Sequence, residues 1–132
     1  MKESKLPKYN ENNIVKDDKN IIYSIKNQLI LNGLNSIKSV DTTLDEICIG
    51  TILSEEDNNE NMNLLPDAVS HMIKNIRITI NGWYADIEIM NTAIGRLFLD
   101  VFKSEDLDFY IKPNITGLLL TFNIIYKPVK KD

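Results

Sequence analysis

Ser70 and His71 are the residue pair whose types could do chemistry, because a hydroxyl beside an imidazole is the start of a nucleophile and base. They close the run Pro66-Asp67-Ala68-Val69-Ser70-His71, just ahead of an alternating apolar stretch. Adjacent residues of a strand point to opposite faces. The sequence therefore predicts that the two diverge and that His71 is structural. One histidine and one cysteine, Cys48, are too few for a structural zinc site. Within Glu46-Ile47-Cys48-Ile49-Gly50 the thiol reads as a small apolar strand residue. A lone cysteine excludes an internal disulfide and points to a reducing compartment. Glu55, Glu56, Asp57 and Glu60 lack the Asp/Asn alternation and central glycine of an EF-hand loop, so they read as a solvated loop. No catalytic, cofactor-binding or metal-binding residue is assigned, and no cofactor is expected.

The elements that would position such residues centre on Met72–Phe102. Ile76, Ile78 and Ile80 share one strand face, and Trp83, Ala85, Ile87 and Ile89 share a face of the return strand. Asn81-Gly82 is a type I′ turn signal with φ > 0 at both positions. That turn places Ile80 opposite Trp83, Ile78 opposite Ala85, Ile76 opposite Ile87, and Arg77 opposite Asp86. Beyond Met90 the period becomes helical. Ile94, Leu97, Phe98, Val101 and Phe102 form one stripe of a helix over Asn91–Lys103, with Asn91 or Thr92 as N-cap. The predicted core joins Ile76, Ile78, Ile87, Ile89, Leu97, Phe98 and Val101.

Three further stretches read as strands. Asn20–Leu31 is one strand or two broken near Lys26-Asn27, with a helix as the alternative. Glu46–Leu53 is a second. Gly117–Tyr126 alternates Leu118, Leu120, Phe122, Ile124 and Tyr126 against a second apolar face, so it belongs in the middle of the sheet. Leu107–Ile111 is a short strand, and Pro113 implies a sheet edge or loop after it. Asn32-Gly33 marks a turn, and Ser54–Asp67 a long surface loop.

The 132 residues suit one domain of α+β class, a mostly antiparallel sheet with one short helix packed on it. Residues 1–19 form a charged N-terminal arm, either solvated or clasping a neighbouring subunit. Residues 20–127 form the domain and residues 128–132 a charged C-terminal tail. The net charge of −4 gives no basis for nucleic acid as the main ligand. No N-terminal apolar core marks a signal peptide, and no apolar run reaches the roughly 18 residues that span a bilayer.

Between Val69 and Tyr126 the order hairpin, short helix, strand carries Asp86-Ile87-Glu88-Ile89, Asn91-Thr92 and Gly95-Arg96-Leu97. This wording resembles the tailed-phage prohead proteases, serine proteases related in fold to herpesvirus assemblin that cleave scaffold and capsid precursors. The resemblance implies a nucleophilic serine on the strand after the helix. Here that strand reads Phe109-Tyr110-Ile111-Lys112-Pro113-Asn114-Ile115-Thr116-Gly117, with Ile111 or Lys112 in the serine's place and Thr116 displaced. The expectation is a non-enzymatic virion or head-assembly protein, an auxiliary capsid protein among the options, located in the virion after assembly in the host cytoplasm. Its expected partners are capsid or other virion proteins, with a homo-oligomer open, and neither a membrane nor sequence-specific nucleic acid. The alternatives are an active prohead protease and a small intracellular inhibitor or adaptor that binds a host protein.

Overall fold

β-Branched density and period-two alternation make this chain mostly sheet. The computed structural model describes residues 4–32, 42–44, 47–57, 68–116 and 119–129. Among them the strands are β1 (Ser4–Lys5), β2 (Ile21–Asn32), β3 (Thr42–Leu44), β4 (Cys48–Gly50), β5 (Ile52–Ser54), β6 (His71–Thr79), β7 (Gly82–Met90), β8 (Leu107–Thr116) and β9 (Leu119–Pro128). One α-helix, α1 (Ala93–Phe102), follows β7. All strands join one sheet in the order β1-β8-β9-β4-β6-β7-β2, with β3 added on β6 and β5 on β9. β4 and β5 run parallel to β9, and every other pairing is antiparallel. The two ends of the sheet nearly meet, since Gln28 on β2 donates its side-chain amide to the Lys5 carbonyl of β1 at 3.1 Å. The α+β expectation holds in this coarse form, a mostly β domain with one helix.

The central hairpin forms, but its turn and register differ from the expectation. Thr79 pairs with Gly82, so Ile80 and Asn81 are the two loop residues. Gly82 has φ 138, whereas Asn81 is not in the left-handed region. The Thr79 hydroxyl accepts from the Asn81 amide at 3.1 Å and donates to the Gly82 carbonyl at 2.9 Å, closing the loop one residue early. Ile78 therefore faces Trp83, Arg77 faces Tyr84, and Ile80 is left exposed. A bulge then restores the inward face: Asn75 and Ile76 together stand opposite Ala85, with Asn75 at φ 57. Beyond it Lys74 faces Asp86 and Ile73 faces Ile87, and both Ile73 and Ile76 are fully buried.

β2 is continuous where a break was allowed near Lys26-Asn27. A second bulge sits there, with Asn27 at φ 52. The predicted strand over Glu46–Leu53 is split into β4 and β5 at Thr51, whose amide bonds the Asn123 side chain at 3.2 Å. β3 lies in a stretch the sequence left unmarked. β8 runs on through Pro113. β1 pairs with it only at Tyr110 and Ile111, so the proline, which has no N–H, sits where that edge is open. β9 lies between β8 and the β4/β5 pair, as its two apolar faces require, with Phe122 and Ile124 on one side and Ile125 on the other, all fully buried. Pro128 and Val129 are not a free tail: Pro128 pairs with Leu107 and the Val129 amide donates to the Asp106 carbonyl at 3.0 Å. The predicted Ser54–Asp67 loop begins instead with the end of β5 and a 3₁₀ turn over Glu55–Asp57. The rest of it, like the Asn32-Gly33 turn beyond Asn32, lies outside the described residues.

From Ser4 onward the N-terminal arm packs on its own domain and is not a free tail. β1 pairs with β8, Leu6 is buried, and Tyr9 stacks on Tyr23 with ring centroids 5.6 Å apart. The Val15 amide then donates to the Ile22 carbonyl at 3.1 Å, turning the arm into the first residues of β2.

The core gathers Tyr23, Ile73, Ile76, Ile87, Ile89, Phe98, Ile111 and Phe122, all fully buried. α1 caps it through Phe98 and Phe102, whose rings meet Phe109 and Tyr23. Leu97 is the correction, at 52% exposure. The helix turns its Gly95 side to the end of β7, where a Cβ would collide with the Met90 carbonyl. Leu97 then lies roughly a third of a turn from the Phe98–Phe102 line. Phe98→Ala should cost about 3–5 kcal/mol in urea unfolding. Leu97→Ala should stay within about 0.5 kcal/mol of the parent.

Candidate functional site

Ser70 and His71 meet, contrary to the divergence expected of strand neighbours. Ser70 Oγ lies 2.7 Å from His71 Nδ1. The alternation rule fails because Ser70 precedes β6 and is not held in a strand. Its amide donates to the Gly50 carbonyl at 3.0 Å and its carbonyl accepts from the Met90 amide at 2.9 Å. Those two bonds turn the hydroxyl back over the imidazole of the next residue.

The imidazole is pinned on its other side as well. His71 Nε2 lies 2.6 Å from the Phe122 carbonyl oxygen on β9. A carbonyl only accepts, so the ring proton is on Nε2, and Nδ1 accepts from the Ser70 hydroxyl. Gly50 makes this reach across β4 possible, since a Cβ there would collide with both the Phe122 carbonyl oxygen and Nε2. Phe98 stands edge-on to the imidazole with centroids 5.9 Å apart. Burial lowers the His71 pKa to about 4, although the Phe122 bond opposes the shift. The base is therefore neutral at ordinary pH.

Chemically this is a nucleophile–base contact with no route for a substrate. Ser70 and His71 are both fully buried. The hydrogen bonds of both ring nitrogens are already used. The serine contacts Nδ1 and the backbone carbonyl contacts Nε2. The pair acts as a strut that joins the start of β6 to β9.

The other residues considered for chemistry stand apart from it. Cys48 is buried on β4 opposite Ile73. Ile111 is fully buried on β8 opposite Ile124, and Lys112, half-buried, faces Asn123. Thr116 ends β8 opposite Leu119. Glu55, Glu56 and Asp57 form the 3₁₀ turn after β5, and Glu60 lies outside the described residues. Among the described residues no group of three His, Cys, Asp or Glu side chains could hold a metal ion. No helix there is long and apolar enough to cross a membrane.

The group that sequence reasoning undervalued is Asp86. Its carboxylate accepts from the Asn27 amide at 2.9 Å and from the Asn75 side-chain amide at 2.8 Å. Arg77 Nη2 lies 3.7 Å from Asp86 Oδ1 and donates to Asn27 Oδ1 at 2.8 Å, and Lys26 Nζ lies 3.8 Å from Oδ2. Arg77 and Asp86 are paired in the sequence reading by a register the turn overrides, yet the long guanidinium still reaches the carboxylate. The signal was present in two asparagines, the residues that most readily take positive φ outside glycine.

The resembling wording has local structural work as well. Thr92 caps α1, accepting from the Gly95 amide at 2.9 Å and donating to the Val69 carbonyl at 3.0 Å. Arg96 bonds the Asn91 side chain at 2.9 Å. Comparison of the chain with family models, with curated proteins and with solved structures finds no match.

His71 sets a pH dependence. Between about pH 4 and 6.5 the unfolded imidazole binds a proton that the folded one refuses. Stability therefore rises with pH across that window. It is complete above about 6.5, and the loss on reaching pH 4 is about 3 kcal/mol. Urea midpoints measured from pH 4 to 7.5 should show this slope, and His71→Gln should flatten it while lowering stability at neutral pH.

Proposed function

We propose that this chain is a non-enzymatic head-assembly protein of a tailed phage, built on a prohead-protease-like fold that has lost its nucleophile. The observation that carries the reading is Ile111. It or Lys112 falls at the strand position where the resemblance puts the catalytic serine, and Ile111 is fully buried against Ile124. An alkyl side chain there cannot be acylated. The order of hairpin β6–β7, helix α1 and strand β8 also agrees with the order the resemblance implies. The partners in this reading are capsid or other virion proteins, with self-association open, and the site of action is the virion.

The 2.7 Å contact of Ser70 with His71 favours the rival, an active serine protease. Its burial argues against that reading, because an attacking hydroxyl needs a substrate carbonyl at hand and donors aimed at the developing oxyanion. A fluorophosphonate probe should leave Ser70 and Thr116 unlabelled, and scaffold or capsid precursors should remain intact on incubation. Mass spectrometry of purified phage heads should find the chain at a fixed ratio to the major capsid protein. Labelling at Ser70 that disappears in His71→Ala would restore the protease. Absence from heads would leave the host-protein adaptor.

A further inference from the structure

A cleft of about 450 Å³ opens between the N-terminal arm and the C-terminal end of α1. That is within the range of small-molecule sites, about 300–1,000 Å³. Its floor is apolar and mostly aromatic: Leu6, Phe102 and Phe109, each nearly inaccessible. Tyr9 forms one wall, fixed by its stack on Tyr23 and by an edge contact with Phe102 at 6.2 Å. Flat rings on several sides favour a flat guest.

The charges at the mouth select its sign. Lys5 and Asp108 pair at 3.5 Å and neutralise one another. Lys103 Nζ is held 5.7 Å from the centre of the Tyr9 ring, and Lys8 extends from the exposed arm. Neither forms an ion pair among the described residues, and together they face one carboxylate, Glu105. Two ammonium groups above an aromatic floor suit a single anionic group on an aromatic body.

We propose that this cleft binds a small aromatic anion, with its ring against the part-exposed Tyr9 above the floor and its carboxylate or sulfonate between Lys8 and Lys103. The site is independent of the assembly role, and it would operate equally in an adaptor or a protease. Because the arm supplies Leu6, Lys8 and Tyr9, an occupied cleft also holds the arm down.

The test compares two fluorescent dyes on the full chain. Anilinonaphthalene sulfonate carries the anion, and phenylnaphthylamine has the same rings without it. The sulfonate should bind one to one and raise the thermal midpoint. Lys8→Gln/Lys103→Gln should weaken it about tenfold, with little change in binding of the neutral dye. Lys16→Gln/Lys19→Gln removes the same charge outside the cleft and should change neither. Failure of the sulfonate to bind one to one would overturn the proposal. So would equal binding of both dyes by the parent, or equal weakening by the two lysine pairs.

Discussion

A single buried carboxylate ties together two of the bulges on which the curl of the sheet depends. Asp86 stands on β7, opposite a bulge of β2 and one position from the bulge of β6. Bulges sharpen the local right-handed twist of a sheet. Two of them side by side, on β2 and β6, help curl the sheet until β2 approaches β1 and β8. Burial alone pushes the Asp86 carboxyl up. The amides of Asn27 and Asn75, with Lys26 and Arg77 behind them, outweigh that and hold it below the usual carboxylate range. The folded pKa is thus depressed. This contribution is present above the unfolded value, about 4, and is lost as pH falls through the folded one. That window lies at the acid end of the one set by His71.

How much of this was legible depends on how local each cause is. Alternation in Ile76–Ile89 and the helical period after Met90 identify the hairpin and helix, because side-chain direction follows backbone period. The register was not legible. It is set by the Thr79 hydroxyl closing the loop and by Asn75 taking a left-handed conformation, and neither leaves a periodic trace. Leu97 was misread because a short helix presents more than one plausible stripe, and the close approach at Gly95 chooses among them. The arm was misread on composition: Leu6 and Tyr9 are few, but their partners Phe102 and Phe109 are distant in sequence and were invisible as partners.

The serine and histidine show how the same contacts can serve folding instead of reaction. A hydroxyl that donates to Nδ1 while Nε2–H donates to a main-chain carbonyl satisfies every polar atom the ring possesses. In a sealed interior that satisfaction is a structural requirement, because an unpaired ring nitrogen there would cost about 1–3 kcal/mol. Proximity of a nucleophile and a base therefore says little until access is known. In this chain the sheet, Gly50 and Phe98 deny it.

The arm that brings the two ends of the sheet together has a consequence for synthesis. Ser4 leaves the ribosome well before its partner Ile111. Until β8 emerges, the edge of β2 lacks the neighbours that complete the seam, and Leu6 and Tyr9 have no aromatic floor to cover. Contacts between such distant positions form only after a long loop has closed, which slows folding. The nascent chain must therefore carry an open strand edge until β8 has emerged. Drawing β1 across β8 is the step that retires that hazard.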